Sequence, residues 1–106
     1  MNFVNDYQGA HACKNYGKSF LVLKPHVRAR CTITNTRTYS SGEVVAPLKN
    51  CEAVLSGFNS SELWAICNTS KGYTLNSKKI AYFKEVHIHG SISFFQDVEA
   101  IYAPER

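Results

Sequence analysis

No acidic residue stands between Asp6 and Glu43. The same stretch carries Lys14, Lys18, Lys24, Arg28, Arg30 and Arg37. Residues 51–106 are balanced by comparison, with five basic side chains against six acidic ones. The formal net charge of +4 therefore belongs to the first half of the chain. A localised positive field of this kind attracts polyanions, either nucleic acid or an acidic protein surface.

Other absences narrow the choice further. No apolar run approaches the ~20 residues of a membrane-spanning helix, so no membrane partner is expected. The opening residues lack the basic and apolar regions of a secretory signal, which points to a cytoplasmic protein. Four cysteines are present, Cys13, Cys31, Cys51 and Cys67, but no C-x-x-C joins any two. Zinc-ribbon and thioredoxin signatures are thereby missing, and disulfides are not expected in a reducing compartment. Cys31, Cys51 and Cys67 sit in apolar patterns and read as small buried hydrophobes. There is no phosphate loop, no dinucleotide fingerprint, no His-Glu-x-x-His, no nucleophile elbow and no deaminase pattern. No cofactor is implied.

What remains is a chain of 106 residues, 44% hydrophobic, which reads as a single domain spanning 1–106. Residues 19–24 form a short apolar run ended by Pro25, the pattern of a strand. Over 27–39, Val27, Ala29, Cys31 and Ile33 alternate with Arg28, Arg30, Thr32 and Thr34. Period two predicts a strand with Arg28, Arg30 and the threonines together on its outer face. Thr36, Arg37, Thr38 and Tyr39 extend it towards a turn at Ser40, Ser41 and Gly42. Residues 44–46 and 51–55 are two short apolar stretches interrupted by Pro47. Residues 62–67 admit two readings. Asn59 with Glu62 resembles a helix-starting capping box, while Trp64 and Ile66 favour a hairpin strand, which is preferred here. Residues 73–76, 80–89, 91–95 and 98–102 complete the strands, with Gly90 as a turn. The expected fold is α+β and mostly antiparallel β. It forms a small barrel-like or strongly curved sheet with at most one or two short helices.

Three function classes follow. The first is a small non-catalytic binding protein. Lys24, Arg28, Arg30, Thr32, Thr34, Arg37 and Tyr39 would form a basic face for an acidic protein or a nucleic acid. Tyr7, Tyr16 and Phe20 are interleaved with the basic residues. Size and lack of catalytic motifs also suit a phage-type inhibitor of a host nuclease or defence complex. An exposed edge at 19–24 would make a second copy of the chain a further partner. The second class is a zinc-stabilised module. Glu85, His87 and His89 share one strand face, and His11 with Cys13 repeat the i, i+2 spacing at the other end.

The third class is a thiol hydrolase. Residues 89–95, from His89 to Phe95, followed by residues 98–103, are similar to the histidine strand and following strand of NlpC/P60-like cysteine peptidases. Cys13, which lies outside the apolar strand patterns, is the candidate nucleophile, with His89 as base and Gln96 or Asp97 orienting the imidazole. The cysteine context differs from that family's Asp-Cys-Ser-Gly, since Cys13 is flanked by Ala12 and Lys14. On balance a binding protein is expected in preference to an enzyme.

Overall fold

The structure, a computed structural model, describes residues 2, 4–35, 44–73 and 84–105. Among the described residues, five strands form two small antiparallel sheets. β1 (Phe20–Leu23) pairs with β5 (Val98–Tyr102). β2 (Cys31–Thr34) lies between β3 (Val45–Pro47) and β4 (Val86–Ile88). Three α-helical segments accompany them: α1 (Glu52–Leu55), α2 (Ser60–Ser70) and α3 (Phe94–Asp97). Short 3-10 turns cover His11–Tyr16, Pro25–Arg30 and Leu48–Asn50. The protein is α+β, as its sequence indicates, and of the described α-helical segments only α2 exceeds a single turn. The two sheets do not close into a barrel. Among the described residues, no helix is long and apolar enough to cross a membrane.

The core lies between the three-stranded sheet and the helices. Ile33 and Ala46 face Val54 and Phe58, with Leu48, Cys51, Leu55, Ile66 and Val86 packed around them. β2 alternates correctly for this purpose, since Cys31 and Ile33 point inward. Thr34 departs from the expected outer face: it is fully buried, and its backbone N–H donates to the Glu85 carbonyl at 3.0 Å.

Several expected strands are helical. Pro25 occupies the first position of a 3-10 turn that continues to Arg30, so Arg28 and Arg30 do not lie on the strand with Thr32. Proline fixes φ near the helical value and gives up an N–H that such a turn leaves unused. Val27 is buried while Ala29 is exposed, which breaks the period-two reading at its second apolar member. In a 3-10 turn residues i and i+3 eclipse, so Arg30 follows Val27 towards the protein and Arg28 faces solvent. Thr36, Arg37, Thr38 and Tyr39, with the turn at residues 40–42, lie outside the described residues.

Residues 62–67 are likewise helix, not hairpin strand. The Glu62 N–H donates to Asn59 Oδ1 at 2.9 Å, and the Asn59 N–H donates to Glu62 Oε2 at 3.0 Å. This reciprocal cap satisfies two donors that a helix start leaves open, and it outweighs the β preference of Trp64 and Ile66. Glu62 has a second task. Its Oε1 meets Lys84 Nζ at 2.9 Å, with both side chains at most 5% exposed. The Lys84 ammonium also donates to the Asn35 carbonyl at 3.0 Å and stands 4.5 Å from the Phe58 ring centroid. Residues 51–55, read as an apolar stretch, form the single turn α1, and residues 94–97 form α3 where a returning strand was expected. Ser93 starts that turn by accepting from the Gln96 N–H at 3.3 Å.

β1 and β5 agree closely with the sequence reading. The Phe20 and Tyr102 rings stack across the pair with centroids 4.7 Å apart. The register slips between Val22, opposite Ala100, and Leu23, opposite Val98, so Glu99 is the extra residue of a bulge.

Candidate functional site

Asp97 is the centre of a polar constellation that joins three segments of the chain. It ends α3 just where β5 begins, and it is 6% exposed. Its Oδ2 accepts from the Ser93 backbone N–H at 2.8 Å and from Arg30 Nη2 at 3.0 Å. Its Oδ1 meets His26 Nε2 at 2.8 Å. The Ser93 N–H, then the His26 ring, then the Arg30 charge hold the Asp97 carboxyl below its ordinary range. Burial opposes them and does not prevail. An ionised carboxylate only accepts, so His26 presents Nε2–H to Asp97. The His26 side chain is 56% exposed.

Arg30 ties this centre to the second sheet. Its Nη1 donates to the carbonyls of His89, at 3.0 Å, and Ser91, at 2.7 Å. The His89 N–H returns a bond to the Arg30 carbonyl at 2.9 Å. The chain can turn this close because Gly90 has φ +87°, and a Cβ there would stand 3.3 Å from Arg30 Nη1. His89 Nε2 meets Thr32 Oγ1 at 3.0 Å, and His87, opposite Thr32 in the β2–β4 register, stands 3.5 Å from Glu85. The result is one surface on which a single guanidinium reaches both the backbone of one histidine and the carboxylate that orients another.

Lys24 and the α3 aromatics border this surface. The Lys24 N–H donates to the Asp97 carbonyl at 2.8 Å, and its Nζ donates to the Phe95 carbonyl at 3.2 Å. Phe94 is 65% exposed and Phe95 92%. Lys24 and Arg28 also border a groove of about 1210 Å³ together with Tyr7, Leu21, Ile88 and Ile101.

The sequence-derived candidates divide as follows. Lys24, Arg28, Arg30 and Thr32 lie on or beside this surface, but from separate elements and not as one strand face. Thr34 is buried in the protein. Arg30 is a structural tie whose guanidinium is already engaged three times. His26, Phe94 and Phe95 were not singled out by sequence. Ser93 with Gln96 three residues on is the cue that marks α3 and its exposed rings.

The thiol-hydrolase set is not assembled. Cys13 lines a separate cavity of about 610 Å³ with Phe20, Tyr102 and Pro104, which neither His89 nor Asp97 borders. His89 is bonded to Thr32, and the Asp97 carboxylate is taken by His26 and Arg30. The zinc set fares no better. Among the described residues, no three His, Cys, Asp or Glu side chains come together to hold a metal ion, and His11, Cys13, His87 and His89 all lie within them. All four cysteines are free; Cys31 is buried and Cys51 half-buried, but Cys67 is exposed on α2 and not a core residue.

No family model, curated protein or solved structure matches the chain.

Proposed function

We propose that this protein binds single-stranded nucleic acid. Lys24 and Arg28 meet phosphates, and Phe94 and Phe95 offer faces on which bases stack. The observation that carries the reading is a cation anchored beside an almost fully exposed aromatic residue: Lys24 Nζ donates to the backbone carbonyl of Phe95, and Phe95 is 92% exposed. Exposed aromatics beside a cationic track are what sequence-tolerant strand binding requires. Asp97, the one carboxylate at the centre, is paired with the Arg30 guanidinium and hydrogen-bonded to His26, so it repels an incoming phosphate little. The groove beyond Lys24 and Arg28, with Tyr7 72% exposed at its rim, continues the track.

The test is fluorescence anisotropy with labelled single-stranded RNA and DNA of mixed sequence. Binding should weaken with salt, with a log–log slope of about −0.7 for each phosphate neutralised. Arg28→Glu should reduce both affinity and slope without unfolding the chain. Salt-independent or undetectable binding would overturn the reading. Capture of an acidic protein that survives nuclease treatment would assign the same face to a protein partner instead.

A further inference from the structure

Resting on that reading, we infer that the groove beside Lys24 and Arg28 is a base-binding station, in which an unstacked base of the strand lies against the Tyr7 ring. The chain holds Tyr7 in place by several bonds. The Gly9 N–H donates to the Asp6 carbonyl at 2.9 Å, closing a turn with Tyr7 at its second position. Asn2 fixes the start of that turn: its Nδ2 donates to the Asp6 carbonyl at 2.7 Å, and its Oδ1 accepts from the Asp6 N–H at 3.1 Å. The Asp6 carboxylate accepts from the Gln8 N–H at 3.0 Å. Gly9 has φ +81°, and the Phe20 ring packs so closely there that a Cβ would stand 3.1 Å from it. The turn is thus seated on β1, yet Tyr7 stays 72% exposed, its hydroxyl accepting from the Gln8 amide at 3.3 Å.

Tyr7 lines one groove of about 1210 Å³ with Leu21, Ile101, Lys24 and Arg28. Leu21 and Ile101 are opposite each other in the β1–β5 register and stay 43% and 62% exposed, so they give the groove an apolar floor. The flat face of a base suits such a floor. Of the described residues that line the groove, Lys24, Arg28 and Asp6 are charged. Asp6 is only 8% exposed, so the charge offered to a ligand is positive and complementary to phosphate. The volume exceeds the ~300–1,000 Å³ of a small-molecule pocket, which suits consecutive nucleotides of one strand. Lys24 is the link, since it lines this groove while its Nζ holds the Phe95 carbonyl. One strand therefore runs from the α3 rings past Lys24 to Tyr7, with a stacking surface at each end.

The experiment titrates the full chain at low salt, by anisotropy, with an end-labelled oligothymidylate and with an abasic strand of the same length and charge. The intact strand should bind more tightly. Tyr7→Ala should weaken binding of the intact strand about tenfold, the loss of one stacked base, and leave the abasic strand unchanged. Ile101→Glu, which puts a carboxylate on the groove floor, should weaken binding of both strands. Both positions are exposed, and circular dichroism checks that the variants fold. An intact strand bound equally by the wild type and both variants would overturn this inference and leave the binding reading standing. Failure of the wild type to bind either strand would overturn the two together. A Tyr7→Ala loss as large on the abasic strand would make Tyr7 a backbone contact and overturn the stacking. A dimer in sedimentation that Ile101→Glu splits would assign the groove to a second copy of the chain and overturn it too.

Discussion

Glu62 and Asp97 are the same device used in two places. Each carboxylate is almost fully buried, each satisfies backbone donors at the start of a helical segment, and each bridges to a cation far away in sequence. They differ in what stands on the other side. Lys84, the partner of Glu62, is itself buried beneath Phe58, whereas the His26 and Arg30 side chains beside Asp97 are 56% and 31% exposed. An ion pair enclosed on both sides organises a core. One whose cations open to solvent holds those groups in fixed positions where a ligand can reach them.

The largest expected effect breaks the enclosed pair. Lys84→Met leaves Glu62 charged and uncompensated, and removing one partner of a buried pair costs about 3–5 kcal/mol. Denaturant unfolding should show that loss, and adding Glu62→Gln should recover part of it while keeping an acceptor for the Asn59 N–H. No recovery would mean that Lys84 acts mainly through Phe58 and Asn35.

Asp97→Asn should destabilise less than Lys84→Met, because His26 and Arg30 stay solvated when their partner is lost. The comparison sharpens with pH. The Asp97 carboxyl titrates lower in the folded protein than in the unfolded chain. Its contribution is therefore complete above the unfolded value of 3.8 and is lost as pH falls through the lower folded value. Thermal melts from pH 7 to pH 2 should show a steeper acid loss for the wild type than for Asp97→Asn. Parallel curves would remove Asp97 as the anchor.

Asn59→Ala removes one half of the α2 cap and should cost about 0.5–2 kcal/mol in the same denaturant assay. Phe95→Ala should leave stability within about 0.5 kcal/mol, since the ring is almost wholly in solvent. It should weaken strand binding by about 1–3 kcal/mol in anisotropy titrations. A fall in stability without a fall in affinity would reverse the roles assigned to that ring.

The sequence revealed pairings that depend on local pattern and concealed those that depend on distance. β1 ends before Pro25 and β5 spans Val98–Tyr102, both as apolar runs with clear stops predict. The 25–30 turn was concealed because alternation of apolar and basic residues fits a strand and a 3-10 turn equally until Ala29 proves exposed. The α2 cap was visible in Asn59 and Glu62, but its weight comes partly from Lys84, which sequence does not connect to it. His26 and Asp97 are 71 residues apart, and no periodicity links them. The phenylalanines at 94 and 95 look like core because their type is apolar; only the cap at Ser93 shows that they stand on a turn facing out.

The β1–β5 ribbon has a consequence for how the chain reaches this structure. It joins Phe20 to Tyr102, whereas β2 meets β3 across a much shorter separation. Closing the longer loop costs more entropy before any contact compensates it, and the cost grows only slowly with length. On the ribosome the order is absolute, since β1 has no β5 to pair with until residue 102 has emerged. The site around Asp97 joins His26 and Arg30, near the start of that loop, to Asp97 near its end, so it too waits on a long closure.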